Sequence, residues 1–192
     1  MENRSVPTGI EKTNKEVNTL ENLDLIFSEN LDEVNSDRFI DYVPHILCHA
    51  GTCSFQLAGK SFVVKEGDFV IFPYGKLASD FIPSSDFKVT VLYVSNRFVR
   101  KNAPHNNYDV VGTLSMLQNP IMVLNDSEKI ICDGHLQNIK ARLLDTSHAF
   151  YEDLMGCLVM AFFLDLFQTE RFLIMRLNYL SPPNIFQKCV KK

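Results

Sequence analysis

Gly51-Thr52-Cys53-Ser54-Phe55-Gln56-Leu57-Ala58-Gly59-Lys60-Ser61-Phe62-Val63-Val64-Lys65-Glu66-Gly67-Asp68-Phe69-Val70-Ile71-Phe72-Pro73 is a succession of short strands and tight turns. Thr52 to Leu57 alternates, with Cys53, Phe55 and Leu57 on one face and Thr52, Ser54 and Gln56 on the other, the period of a half-covered strand. Ala58-Gly59-Lys60 supplies a hairpin turn and Ser61 to Lys65 the returning strand. Glu66-Gly67-Asp68 turns the chain again, and Pro73 and Gly75 stop the apolar run that follows.

Working outward, a third turn around Pro83 to Asp86 precedes Phe87 to Val94, where Phe87, Val89, Val91 and Tyr93 align. Strand punctuation thus runs from about Leu23 to Val94, and many short strands in sequence predict a sandwich or barrel rather than βαβ units. The character changes after about Asn96. Asn125-Asp126-Ser127-Glu128 is a helix N-cap with Glu three residues on, followed by Cys132, Leu136, Ile139 and Leu143 as one apolar stripe. Thr146 and Ser147 are caps for a second helix carrying Phe150/Tyr151, Leu154/Met155, Leu158/Val159, Phe162/Phe163 and Leu166/Phe167. Pairs four apart drift around a helix of 3.6 residues per turn. With Cys157, Met160, Ala161 and Leu164 on the other side, this helix needs covering twice, once by its own chain and once by a second copy or another domain. Leu154, Leu158, Ala161 and Phe162 are the expected subunit interface.

Composition narrows the function. The 192 residues suffice for a core without disulfides or metals, and a net charge of -4 provides no basic face for nucleic acid. The longest uncharged apolar run, Leu154 to Leu164, falls well short of the roughly 20 residues of a membrane span. Met1 to Thr19 lacks an apolar signal region, and a cytoplasmic location is expected. Cys48, Cys53, Cys132, Cys157 and Cys189 are an odd count without framework spacing, which suits buried free thiols in a reducing compartment.

His45, Cys48, His49 and Cys53 look like a zinc string. On a strand, however, His45 and His49 lie about 13 Å apart with Cys48 on the opposite face, too far for one ion. Asp133-Gly134-His135 and His148 have no nucleophile motif nearby and read as solvated helix residues. A small barrel can hold one ligand among inward side chains. His45, Leu47 and His49 on one parity, and Tyr93 on the parity of Phe87 to Val91, are the candidate ligand-binding residues. Alternation alone leaves open which face is inside.

The Gly51 to Pro73 stretch resembles the cupin pattern, in which two strands and a Gly-containing hairpin lead to Gly-Asp, an apolar strand and Pro. Gly67, Pro73 and Gly75 match the start of its second motif, whose metal-binding His falls at Ala78. The Glu of the first motif falls at Pro44 and its His pair near Asp37 to Phe39. The resemblance therefore implies a jelly-roll barrel with no metal and no cofactor. A metal-free cupin followed by two apolar helices, with Ile46 to Gly51 and Asn119-Pro120-Ile121-Met122-Val123-Leu124 before a capped helix, is similar to the sensory half of AraC-type transcriptional regulators.

That likeness implies a mainly β chain with C-terminal helices: a metal-free cupin-like jelly-roll barrel followed by an antiparallel pair of α-helices. Residues 1–19 are then a flexible N-terminal arm, 20–115 the barrel, 116–180 the helical dimerisation segment and 181–192 a disordered tail. It implies a small-molecule effector, a sugar among the candidates, and a homodimer, with no membrane association. No helix-turn-helix pattern follows Leu177, so direct DNA binding by this chain is not carried over. The competing expectation is a metal-independent cupin enzyme, a sugar epimerase or isomerase, using His45, His49 or Tyr93 as acid and base in one pocket.

Overall fold

The computed structural model describes residues 20–21, 24–102 and 110–167. The expected arm, the expected tail, Cys189 and the apolar residues Phe172 to Met175 lie outside the described residues. The strands are β1 (Leu20–Glu21), β2 (Leu25–Ser28), β3 (Tyr42–Ala50), β4 (Thr52–Leu57), β5 (Lys60–Lys65), β6 (Asp68–Ile71), β7 (Ala78–Pro83), β8 (Lys88–Ser95) and β9 (Ile121–Val123). The α-helices are α1 (Asn96–Asn102), α2 (Val110–Gln118), α3 (Asp126–Leu143) and α4 (Tyr151–Phe167).

Two antiparallel sheets result, one in the order β1-β2-β8-β3-β6-β9 and one in the order β5-β4-β7. The hairpin expected at Ala58-Gly59 joins β4 to β5 with both residues at positive φ, 49° and 79°, the twist that two-residue hairpin turns need. Gly51 makes the corner between β3 and β4 at φ 70°, where an added Cβ would meet Ser84 Oγ at 2.6 Å and Phe87 Cα at 2.8 Å. Gly51→Ala is therefore expected to lower stability by about 1–2 kcal/mol from left-handed strain alone, with the backbone clash adding to it, read as a shifted urea midpoint.

The larger sheet is covered on both faces. Leu25, Phe27, Val43, Leu47, Phe69, Ile71, Leu92 and Val94 face the helices, in one cluster with Cys132, Leu136, Ile139 and Leu143 of α3 and with Met155, Val159, Phe162, Phe163, Leu166 and Phe167 of α4. Ile26, Ile46, Cys48, Val70, Phe72, Val89, Val91 and Tyr93 face the small sheet's Cys53, Phe55, Leu57, Val64 and Ala78. This three-layer build follows from β3 and β8, whose successive side chains point to alternate faces and are apolar on both.

The stripe on α3 is buried as expected, and Asn125 and Glu128 form a complete capping box. α4 starts later than its expected caps. Ser147 Oγ donates to the Asp145 carboxylate at 3.3 Å, and turns linking Asp145, His148 and Tyr151 occupy the segment instead. Four α-helices are present among the described residues where two were expected. In α1 only Phe98 and Val99 are buried, too little for a helical period to register. Among the described residues no helix is long and apolar enough to cross a membrane.

Candidate functional site

The four expected ligand-binding residues are split between two faces of one sheet. In the β3–β8 ladder Pro44 pairs with Tyr93 and His45 with Leu92, and directly opposed residues share a face. His45, Leu47 and His49 therefore point to the helices, and Tyr93 points to the small sheet. His45 and Leu47 are fully buried under α4. The His45 ring stacks on Phe163 at 5.2 Å, and its Nδ1 lies 2.9 Å from Val43 O. Burial lowers its pKa from 6.5 to about 4, against opposing hydrogen bonds to the backbone of Val43 and Leu92.

His49 sits near the C-terminal end of β3, its Nε2 2.8 Å from Thr90 Oγ1 and its Nδ1 4.0 Å from Asp133 Oδ1 of α3. Asp133 and His135 are thus used in packing, not simply solvated. His135 Nε2 lies 2.7 Å from Asp165 Oδ2, tying α3 to α4. Of the expected interface residues, Phe162 is the exception. Only 1% of it is exposed, against Phe69, His45 and His135. It belongs to the core because the drifting pairs turn inward there. Leu154 and Leu158 are partly exposed and Ala161 exposed, in line with the exposed Cys157 and Leu164. Cys157 thereby departs from the expected burial of the thiols.

Between the two sheets, Phe39 stacks on Tyr93 with centroids 3.9 Å apart, and Phe55 packs on Phe62, Phe72 and Phe81. These rings fill the middle. Tyr93 Oη is buried with no hydrogen-bond partner among the described residues. Burial, then the Glu33 carboxylate, pushes its pKa up, so it stays protonated. Cys48 and Cys53 are buried in the same interior, and burial pushes the Cys48 thiol up to about 11, which leaves it protonated and unreactive. Among the described residues no group of three or more His, Cys, Asp or Glu is placed to hold a metal ion.

The open space lies near the ends of β2, β7 and β8. A pocket of about 420 Å³ is walled by Leu31, Phe81, Pro83, Phe87 and Val89 and rimmed by Glu29, Asn30, Asp32, Asn35 and Ser84. An apolar wall with a few polar groups at the rim is the usual make-up of a small-molecule site. A second pocket of about 430 Å³ lies beside α1 and α4. Its polar groups are committed to one another: Asp24 accepts from Ser95 Oγ at 2.5 Å and from Arg97 Nη2 at 2.8 Å. The pocket walled by Leu31, Phe81 and Phe87 is the candidate site.

No protein-family model and no curated protein matches the chain. Among solved structures it is similar to the AraC-like transcriptional activator CuxR, at 11% identity and a TM-score of 0.44, over 73% of this chain and 52% of that one. It is also similar to ToxT from Vibrio cholerae O395 bound to (E)-4-(8-methylnaphthalen-1-yl)but-3-enoic acid, at 12% identity and a TM-score of 0.42, over 74% of this chain and 51% of that one. The chain spans about half the length of each.

None of the four expected ligand-binding residues lines the candidate pocket. The alignment of Phe87, Val89, Val91 and Tyr93 on one parity is observed, and the first two line the pocket. Leu31, Asp32 and Asn35 come from an irregular segment and Phe81 from β7, a strand the turn pattern does not announce. No periodic signal marks them.

Proposed function

We propose that this chain is the effector-sensing and dimerisation module of an AraC-type transcriptional regulator, its barrel a cupin-like jelly roll and its outer helices the subunit interface. The observation that carries this reading is the division of labour across the larger sheet. One face closes a barrel with a pocket of about 420 Å³ at its end. The other face supports α3 and α4, and α4 leaves Leu154, Cys157, Leu158, Ala161 and Leu164 at its outer surface. The spacing of these residues forms a stripe along one side of a helix. A cytoplasmic location fits such a module.

Ala161→Glu and Leu164→Glu, which place charge on that stripe without touching the core, are expected to convert a dimer to monomer in sedimentation at micromolar concentration. A wild-type chain that sediments as a monomer throughout would remove the pairing role. The sensing role is tested by thermal shift, since a ligand that binds only the native state raises the Tm.

The metal-independent enzyme reading needs His45, His49 and Tyr93 to converge on one substrate. The sheet stands between Tyr93 and both histidines, and none of the three lines the barrel-end pocket. That reading is the weaker one.

A further inference from the structure

We infer that the barrel-end pocket takes an organic cation, an amine with an apolar body, with Asp32 as its counter-ion; this rests on the sensing reading and names the ligand class of that same site. The rim carries two carboxylates, Glu29 and Asp32, and no basic side chain lines the pocket. The two carboxylates are not equivalent. Glu29 is already compensated by Lys140 of α3, whose Nζ lies 3.1 Å from Glu29 Oε1. Asp32 has no ion pair among the described residues, and its backbone amide is held by Asn30 Oδ1 at 3.0 Å, which fixes the loop beneath it.

The polar groups beside it are uncharged and partly engaged. Asn35 Nδ2 donates to Ala78 O, and Ser84 Oγ donates to Asp86 Oδ1 and accepts from the Thr52 amide. The charge left to a ligand is a carboxylate beside the aromatic walls Phe81 and Phe87. A carboxylate and aromatic faces both attract a cation, the first through its charge and the second through the negative face of the ring. An anionic ligand would meet repulsion from Asp32, and Lys140, the cation beside the rim, is already paired with Glu29.

The test titrates the full chain with four probes: 3-phenylpropylamine, 3-phenylpropanol, 3-phenylpropanoate and a set of neutral hexoses and pentoses. The expected result is a Tm rise and calorimetric binding with the amine, weaker binding of the alcohol and none of the acid. Asp32→Asn is expected to weaken the amine by about ten- to hundredfold, the worth of one charge-assisted hydrogen bond, while leaving the alcohol unchanged. Asp32 is exposed, so the unliganded variant should melt where the parent does. Equal binding of the acid, binding of sugars in place of the amine, or an amine affinity indifferent to Asp32→Asn would overturn the cation inference and leave a sensing pocket standing. Binding of no probe at millimolar concentration would overturn both.

Discussion

Phe162→Ala is expected to cost about 3–5 kcal/mol, the usual loss for truncating a buried Phe. The ring is almost wholly buried, 5.9 Å from Phe69 of β6, 5.7 Å from Phe163, 6.3 Å from His45 and 6.0 Å from His135. It therefore joins both helices to the sheet, and no single neighbour can collapse into the space it would leave. Against a typical domain stability of about 5–15 kcal/mol, the loss is a large fraction of the whole. Urea unfolding of the variant should show a midpoint displaced accordingly. Leu164→Ala, on the outer side of the same helix and 50% exposed, should change monomer stability little. A Phe162→Ala midpoint within error of the parent would mean that α4 does not dock as described. The pair of variants also separates core from interface, since only the outer stripe is expected to alter association.

Acid is expected to destabilise the protein by about 3 kcal/mol through His45 alone. The buried imidazole has its pKa lowered from 6.5 to about 4, so between those values the unfolded chain binds a proton that the native state refuses. Stability is at its full value above pH 6.5 and falls as the pH drops towards 4, at up to about 1.4 kcal/mol per pH unit. Two carboxylates act elsewhere on the scale. Asp24, with hydrogen bonds from Arg97 and Ser95 outweighing the desolvation that opposes them, and Asp37 beside Lys76 both have pKa values below the ordinary 3.8. Their contribution is lost only beneath that value as the pH falls through their folded pKa. Burial pushes the Asp68 carboxyl above the ordinary 3.8, a shift of opposite sign, so the histidine's share between pH 6.5 and 4.5 is the difference between the parent and His45→Gln. Thermal or urea unfolding across that interval should slope steeply in the parent and less in His45→Gln, whatever the variant's stability at neutral pH. Parallel profiles would show that His45 is not the group responsible.

The two predictions meet on one structural point. His45 and Phe162 lie in the layer between the larger sheet and α4, where sequence reading placed one as a ligand contact and the other at a subunit boundary. Both assignments used sound local patterns. His45 does share a face with Leu47 and His49, and Phe162 does fall on the drifting stripe that includes Leu158 and Ala161. Neither pattern carries the information of what lies opposite. The turn order from Gly51 to Pro73 and the N-cap at Asn125 were more legible, because turn geometry and capping are decided by residues within three or four positions of one another.

By itself the sequence determined that Gly51 to Pro73 is strand, hairpin, strand, turn, strand, that Phe87 to Tyr93 align on one face, and that α3 buries Cys132, Leu136, Ile139 and Leu143. Each depends on backbone period and short-range hydrogen bonding. Only the tertiary structure decided that the larger sheet is covered on both sides, that Tyr93 lies between the two sheets while His45 is under α4, and that the open pocket sits among Leu31, Asp32, Phe81 and Phe87. The alternation of a strand fixes parity but not direction, because both faces of β3 and β8 are apolar. Which face meets the small sheet and which becomes a floor for helices is settled by elements far along the chain. These are β4, β5 and β7 on one side and α3 and α4 on the other, whose apolar surfaces must each find a partner.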